Sequence, residues 1–165
     1  MQLEISLLAS LISLTSLSLQ AVPYLTQSVA VKGVLMCGDE PAANVRVKLY
    51  DDDTDKNKSV YRQFSYENSN LKTDPDPDDL LDQGYSAQNG SFFLQGKTEE
   101  GTPIDPTLKI YHNCNDELEP GYRKVVFTLP DKSITRAAKP NSTFDAGVIQ
   151  LELEFKDEER EFTID

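Results

Sequence analysis

The sequence predicts an all-β domain built as a β-sandwich. Three observations lead to this prediction: at least six short runs alternate apolar and polar residues with period two, turn residues separate them, and helical signals are few. A chain of 165 residues is long enough for one domain with one core. Several half-buried strands separated by turns are typical of a β-sandwich.

The alternating runs follow one another along the whole chain. They cover residues 29–37, 45–49, 84–86, 91–94, 108–114, 125–129 and 149–155. Asn89-Gly90 predicts a hairpin that joins 84–86 to 91–94, because a type I′ turn needs positive φ at both central positions. The proline and acidic residues of 76–81 favour a short helix, which Gly84 would end after one or two turns.

The N-terminal residues predict export. Residues 5–19 are uncharged and rich in Leu, Ile and Ser, so we expect a signal peptide over 1–21 and a secreted, extracellular protein. The stretch is short and serine-rich for a transmembrane span, and the alternative is a buried N-terminal helix. The remaining chain is expected to form a sandwich domain over 29–160, with a long acidic loop at 51–77 and a tail at 161–165. The charged stretch 156–165 is expected to fray.

Charge and cysteine content narrow the functional classes. With 16 basic and 28 acidic side chains, the chain carries a formal net charge of -12, which argues against nucleic acid as a partner. Two cysteines in an exported chain favour one disulfide, and two free buried thiols are the alternative. Two cysteines and one histidine cannot form a four-ligand zinc site on their own. Sequons at Asn57, Asn89 and Asn141 predict possible N-glycosylation in turns or loops.

A set of short motifs runs through the chain in a recognisable order. They are Val31-Lys32-Gly33-Val34-Leu35-Met36-Cys37, Val45-Arg46-Val47-Lys48-Leu49-Tyr50, Asp76-Pro77-Asp78-Asp79-Leu80-Leu81, Asn89-Gly90-Ser91-Phe92, Lys109-Ile110-Tyr111-His112-Asn113-Cys114-Asn115-Asp116, Phe144-Asp145-Ala146-Gly147 and Glu158-Glu159-Arg160. Together they resemble the nematode transthyretin-like family over about residues 29–160. The run Ile-Tyr-His-x-Cys and the final Glu-Glu-Arg are the most specific parts.

The resemblance implies a fold and one cross-link. The fold would be a transthyretin-like, prealbumin-like sandwich of two sheets with one short helix, and the cross-link would join Cys37 to Cys114. Two features depart from the family's pattern. Family members often carry two further cysteines at places that correspond here to Gly121 and about Phe162, and their joint absence fits the loss of one disulfide. The acidic, aromatic insert around residues 55–72 is longer than is usual in the family.

His112 is the candidate for any acid-base chemistry, because it is the only histidine. A lone histidine with the strand parity of Cys114 has no visible catalytic partner, so a structural role is favoured over a binding role. The enzymatic alternative that the resemblance suggests is a hydroxyisourate hydrolase. These enzymes resemble transthyretin, but they use more than one histidine and end in Tyr-Arg-Gly-Ser. This chain ends in Glu161-Phe162-Thr163-Ile164-Asp165, so we expect no enzymatic activity and no catalytic residue.

Three further features of the sequence are candidate binding sites. The acidic clusters at 51–55 and 74–79 would hold Ca²⁺ only weakly if they met, and solvated acidic loops are favoured, so no metal or cofactor is predicted. Tyr61, Phe64 and Tyr66 either form a recognition surface or fasten the loop to the sheet. The basic residues between 123 and 139 are a possible contact for phospholipid headgroups or sulfated glycans, but an ordinary solvated strand and turn is favoured.

The sequence therefore predicts a secreted, non-enzymatic protein without a transmembrane span. It would act as an extracellular carrier or recognition factor for a small hydrophobic ligand, a lipid or a cell-surface partner. The alternatives are a hydroxyisourate-hydrolase-like enzyme, which is disfavoured, and a passive host-directed surface protein. The ligand and the oligomeric state are left open by the sequence.

Overall fold

A computed structural model describes residues 25–52 and 78–164. These residues form nine strands in two sheets, so the predicted two-sheet sandwich is confirmed. The predicted signal peptide, most of the acidic loop, Asn57, Tyr61, Phe64 and Tyr66 lie outside the described residues. Across the described ranges, no helix is long and apolar enough to cross a membrane.

Sheet 1 is organised around strand β1, Leu25–Cys37. On one side β1 pairs antiparallel with β5, Ser91–Glu100, and at its end with the short β2, Glu40–Pro41. On the other side it pairs in parallel with β8, Phe144–Gln150, through a register shift at Gly147, whose φ is +70°. The residues predicted to share the inward face, Val29, Val31 and Leu35, are buried between the sheets, although Ala30 of the opposite parity is buried as well.

Sheet 2 has five strands in the order β4-β3-β6-β7-β9. They are β3, Arg46–Asp51; β4, Asp79–Tyr85; β6, Pro106–His112; β7, Tyr122–Thr128; and β9, Glu159–Glu161. All four pairings in this sheet are antiparallel. Every second residue of β3 and β6 faces sheet 1, which places Val47, Leu49, Leu108 and Ile110 in the core.

The described part of the stretch 76–81, residues 78–81, does not form the expected short helix. Residues 79–85 form β4, and the only helical turn in the described ranges is a 3₁₀ turn at Asp131–Ser133. Pairing along β3 supplies backbone hydrogen bonds to residues 79–85, and the Asp82 carboxylate accepts a hydrogen bond from the Gln95 amide in sheet 1 at 2.9 Å. These tertiary contacts override the local helical preference, which is weak in such a short segment.

The hairpin predicted at Asn89-Gly90 is a turn, but it does not join paired strands. Strand β4 before it belongs to sheet 2 and β5 after it to sheet 1, so the turn carries the chain from one sheet to the other. Gly90 has φ +77°, whereas Asn89 is not among the residues with positive φ, so the type I′ geometry is absent. Packing fixes this conformation, because a Cβ on Gly90 would lie 2.3 Å from the Leu35 carbonyl oxygen.

The C-terminal part of the chain differs from the prediction in two ways. The last long strand ends at Gln150, and the strand predicted to continue to residue 155 gives way to a turn that buries Leu151 and exposes Leu153. Within the stretch 156–165, which was expected to fray, residues 159–161 pair with β7 as strand β9. Ion pairs described below hold this strand, and its charges therefore stabilise local order.

Candidate functional site

The two cysteines form the disulfide that the family resemblance implied. Cys37 at the end of β1 and Cys114 just after β6 have Cα atoms 5.7 Å apart. The bridge connects sheet 1 to sheet 2 across a sequence separation of 77 residues. In the chain-entropy description, a loop of this size stabilises the fold by about 4 kcal/mol. No free cysteine is present in the described chain.

His112 is a buried, neutral side chain next to this bridge. Its exposed fraction is 2%, and its Nδ1 accepts a hydrogen bond from the Cys114 amide at 3.3 Å. Nε2 is buried and has no hydrogen-bond partner within the described part of the chain. Burial, and secondly the positive charge of Arg123, lowers the His112 pKa to about 4. These features favour the structural role predicted for His112 over a binding or catalytic role.

Arg123 forms the most connected polar cluster in the described structure. Its guanidinium donates two hydrogen bonds to the Glu158 carboxylate, one of them 2.9 Å long. It also donates to the main-chain carbonyls of Cys114, Leu151 and Leu153 at 3.2, 3.1 and 2.7 Å. We call this set of contacts the Arg123 clasp. It fastens the segment between β8 and β9 to the end of β6.

The clasp also affects the ionisation of its carboxylate. Burial alone would raise the pKa of Glu158, but the hydrogen bonds from Arg123 hold that pKa below its usual value. Both side chains are 13% exposed, so the ion pair is shielded from solvent. Sequence reasoning grouped Arg123 with a solvated basic stretch and missed this role. The carboxylate that pairs with Arg123 belongs to the Glu158-Glu159-Arg160 motif. This motif lies 35 residues from Arg123, so the sequence alone did not connect the two.

The outer face of sheet 2 carries alternating cations and tyrosines. Outward positions place Arg46, Lys48 and Tyr50 on β3, Tyr85 on β4, Lys109 and Tyr111 on β6, and Lys124 on β7. We call these seven side chains the cation–tyrosine face. The two faces of a strand are filled by alternate residues, so the same periodicity that builds the core also builds this surface.

Three cation–ring contacts join neighbouring strands across this face. Their cation-to-centroid distances are 4.8 Å for Arg46 over Tyr85, 5.5 Å for Lys48 over Tyr111 and 4.3 Å for Lys109 over Tyr50. Such contacts are favourable by roughly 0.5–1 kcal/mol at exposed sites and by more when desolvated. Burial, and secondly the proximity of Tyr50, raises the pKa of Tyr111.

The four cations of the face are compensated to different degrees. Lys109 pairs with Asp78 at 2.7 Å, and Lys124 pairs with Glu159 and Glu161 at 2.5 and 3.4 Å. Lys48 is only 7% exposed, and no carboxylate of residues 25–52 or 78–164 lies within ion-pair distance of its Nζ. The ammonium of Lys48 is therefore a recessed positive charge over the ring of Tyr111.

The described members of the two acidic clusters do meet, but they do not form a metal site. Asp51 and Asp79 are register partners on β3 and β4. Asp51 is fully buried, and its Oδ1 accepts a hydrogen bond from the Asp105 amide at 2.7 Å. Asp78 binds Lys109. Among the residues described, no group of three or more candidate ligands could hold a metal ion.

Two of the predicted sequons lie at the described surface. Asn89 is exposed in the turn before β5, and its side-chain oxygen accepts hydrogen bonds from the Ser91 amide and hydroxyl at 3.1 and 2.7 Å. Asn141 is exposed, and its Oδ1 accepts a hydrogen bond from the Thr135 hydroxyl at 2.8 Å. The basic side chains Lys132, Arg136 and Lys139 are also exposed, but they lie outside the cation–tyrosine face.

The architecture is therefore that of a small two-sheet β-sandwich closed by one inter-sheet disulfide, with a charged, tyrosine-rich outer face. Residues 32–130 match the family model TTR-52, transthyretin-like family. The chain belongs to the transthyretin-like family, as the sequence motifs predicted.

Relatives and solved structures place this membership in context. The chain is 51% identical to transthyretin-like protein 46 of Caenorhabditis elegans over 84% of its own length and 67% of the relative's. It is 41% identical to transthyretin-like protein 33 of the same organism over 96% of each chain. A 9R-lipoxygenase structure from Cyanothece PCC8801 matches at TM-score 0.34 and 18% identity, covering 76% of this chain and 16% of that one, a likeness from which nothing follows.

Proposed function

We propose that this protein is a secreted, non-enzymatic recognition factor that binds an anionic extracellular partner through the cation–tyrosine face. The observation that carries the proposal is the recessed ammonium of Lys48, which is 7% exposed and stacks over Tyr111 at 5.5 Å. A lysine held this way among aromatic rings presents a positive charge that an anionic group can neutralise. Arg46 and Tyr85 extend the same surface to the edge strand β4.

Charge distribution supports the choice of an anionic partner. The chain as a whole has a formal net charge of -12, yet four cations project from one face of sheet 2. Aromatic residues and arginine are enriched at recognition surfaces, where they provide contact area at low entropic cost. Two of these cations, Lys109 and Lys124, are paired with carboxylates, so Arg46 and Lys48 are the cations that would orient an anionic partner.

The surroundings of His112 support a non-enzymatic role. The histidine is buried, and its low pKa of about 4 makes it a poor general base near neutral pH. Secretion is supported by the disulfide, because such bridges persist in oxidising compartments. Exposed sequons at Asn89 and Asn141 are compatible with passage through the secretory pathway.

The test compares two matched double variants of the mature chain. Arg46→Ser with Tyr85→Ser removes a cross-strand cation and aromatic ring from the face of sheet 2. Lys32→Ser with Phe93→Ser removes a cross-strand cation and aromatic ring from the outer face of sheet 1. Each protein, together with the unaltered chain, is immobilised and exposed to extracellular fluid. Retained lipids, small molecules and proteins are then identified by mass spectrometry.

We expect an anionic species that the unaltered chain and the sheet 1 variant retain and that the sheet 2 variant loses. Lys48→Met, which keeps most of the aliphatic stem, should weaken retention of the same species. Equal retention by all three proteins would contradict the proposal. Turnover of hydroxyisourate that His112→Ala abolishes would instead establish the enzymatic alternative.

A further inference from the structure

We propose that residues 153–161 form an acid-released latch: protonation of His112 weakens the Arg123 clasp, lets strand β9 leave sheet 2 and uncovers the edge of β7. We call residues 153–161 the latch segment. This regulatory device goes beyond the binding role proposed above. It does not depend on that role, because the experiment that tests it measures amide hydrogen exchange in the absence of any ligand.

The latch segment is held mainly by charged groups. Arg123 donates hydrogen bonds to the Leu153 carbonyl and to the Glu158 carboxylate, which also accepts one from the Phe155 amide at 3.3 Å. Arg160 donates to the Asp116 carboxylate at 2.7 Å and to the Pro120 carbonyl at 3.2 Å. Strand β9 itself pairs with β7 over only three residue pairs. A ladder this short depends on the side chains around it.

His112 lies beside this cluster. It is the register partner of Arg123 on the adjacent strand, and Cys114, two residues after it, supplies one of the carbonyls that Arg123 binds. The charged groups that act on it are Arg123 on β7, Glu158 in the latch segment and Asp116 in the loop after β6. Burial is the largest influence on the His112 pKa and, like Arg123, opposes a positive charge on the imidazole, whereas the two carboxylates favour it.

Protonation therefore conflicts with the closed arrangement. Nδ1 of His112 accepts the hydrogen bond from the Cys114 amide, so the neutral ring carries its proton on Nε2, and a second proton would have to bind Nδ1 and break that hydrogen bond. The resulting imidazolium would be a second buried cation beside Arg123. Lifting the latch segment relieves both costs, because it lets water reach the ring and moves Arg123 away from its closed position.

The direction of the pH dependence follows from the pKa of His112. In the closed form burial lowers this pKa from 6.5 to about 4, so the closed form is favoured above pH 6.5 and loses that advantage as the pH falls. If the ring regains its ordinary pKa when the latch opens, the open population rises about 20-fold between pH 7 and pH 5. Glu158 adds to this effect only at lower pH, because its pKa is held below its usual value.

Opening would change the neighbouring surface in two ways. The edge of β7 at Tyr122, Arg123 and Lys124, which pairs with β9 in the closed form, would become available for pairing. Lys124 would lose Glu159 and Glu161, so the cation–tyrosine face would gain an uncompensated charge. The Phe127–Phe155 contact, with ring centroids 5.4 Å apart, is independent of pH and would keep the start of the segment attached.

Amide hydrogen exchange of the full mature chain tests the latch. Protection of residues 158–161, corrected for intrinsic exchange rates, is measured at pH 7 and pH 5 for the unaltered chain and for His112→Gln. We expect protection to fall about 20-fold in the unaltered chain and less than about 3-fold in His112→Gln. Asp145→Asn, which removes an exposed carboxylate from β8, serves as the control and should behave like the unaltered chain.

A second measurement keeps the proposal testable if His112→Gln fails to fold. His112 is the only histidine, so its ring gives a single set of resonances whose shift can be followed with pH in the unaltered chain. We expect a midpoint near pH 4 for the closed form. A midpoint near 6.5, or an equal loss of protection in His112→Gln and the unaltered chain, would overturn the proposal.

Discussion

Gly121 and Phe162 face each other at the end of the β7–β9 ladder. A Cβ placed on Gly121 would lie 3.1 Å from Cδ1 of Phe162, and the adjacent residues Tyr122 and Glu161 are register partners. The family resemblance places a further pair of cysteines at Gly121 and about Phe162. Their proximity fits the interpretation that one whole disulfide of the family's pattern is absent here, where an aromatic ring lies against the backbone instead.

The first prediction restores that cross-link. Gly121→Cys with Phe162→Cys should form a disulfide under oxidising conditions, which non-reducing peptide mapping would detect. A loop of this length would stabilise the fold by up to about 4 kcal/mol. Gly121 has φ +91°, where an L-residue costs roughly 1–2 kcal/mol, so we expect a net gain of about 2 kcal/mol in the free energy of unfolding.

Gly121→Ala is the matched control for this double variant. It introduces the unfavourable φ and a Cβ 2.8 Å from the Glu161 carbonyl oxygen, but it cannot form a bridge. It should therefore be less stable than the unaltered chain. Two free thiols in the oxidised double variant would show that β9 does not hold these positions together in solution.

The second prediction concerns Gly90. Gly90→Ala should destabilise the fold by about 2 kcal/mol or more, since φ is +77° and the new Cβ would meet the Leu35 carbonyl oxygen at 2.3 Å. Gly101→Ala is the control, because no heavy atom of the described residues other than Gly101 itself and its two chain neighbours lies within 4 Å of its Cβ position. Chemical unfolding of both variants measures the difference. Equal stability of the two would mean that the Leu35 backbone moves freely.

The third prediction separates buried from exposed ion pairs. Arg123→Met removes the guanidinium and leaves the Glu158 carboxylate without its main partner, so we expect a loss of about 3–5 kcal/mol in the free energy of unfolding. Lys32→Met breaks the pair with Asp145, whose side chains are 52% and 59% exposed, and should cost less than about 1 kcal/mol. Similar losses in both variants would show that the Arg123 clasp contributes little to stability.

Local periodicity was sufficient to predict the central strands. Val29, Val31 and Leu35, like Leu108 and Ile110, share the parity expected of one strand face and are buried as expected. The errors occurred where long-range contacts decide the outcome. Residues 79–85 extend because β3 lies beside them, and the Asn89-Gly90 turn changes sheet because Gly90 packs on the Leu35 carbonyl, a contact that local sequence does not encode.

In the candidate site, too, the features set by local sequence were predicted and those set by long-range contacts were not. The disulfide could be inferred from the family motifs and the structural role of His112 from its isolation and strand parity, but the Arg123 clasp joins residues 35 positions apart in sequence. The pairing of cations with tyrosines depends on the registers of β3, β4 and β6, which no single strand specifies. Alternation predicts which residues point outward, whereas register determines which of them meet.

The fourth prediction concerns the stability of the whole fold in acid. His112 has a pKa of about 4 in the folded protein and an ordinary pKa of 6.5 when unfolded, so the unfolded chain binds the proton more tightly. Its contribution to stability is present above pH 6.5 and is lost progressively as the pH falls toward 4. Between pH 7 and pH 5 we expect the free energy of unfolding to fall by about 2 kcal/mol, measured by urea titration at each pH.

His112→Gln should remove most of this pH dependence over the same interval, although it lowers stability at pH 7 if the amide packs less well than the ring. The three carboxylates with lowered pKa values, Asp145, Glu158 and Glu159, titrate below this window and leave the variant nearly flat from pH 7 to pH 5. A slope in His112→Gln equal to that of the unaltered chain would assign the acid sensitivity to other groups.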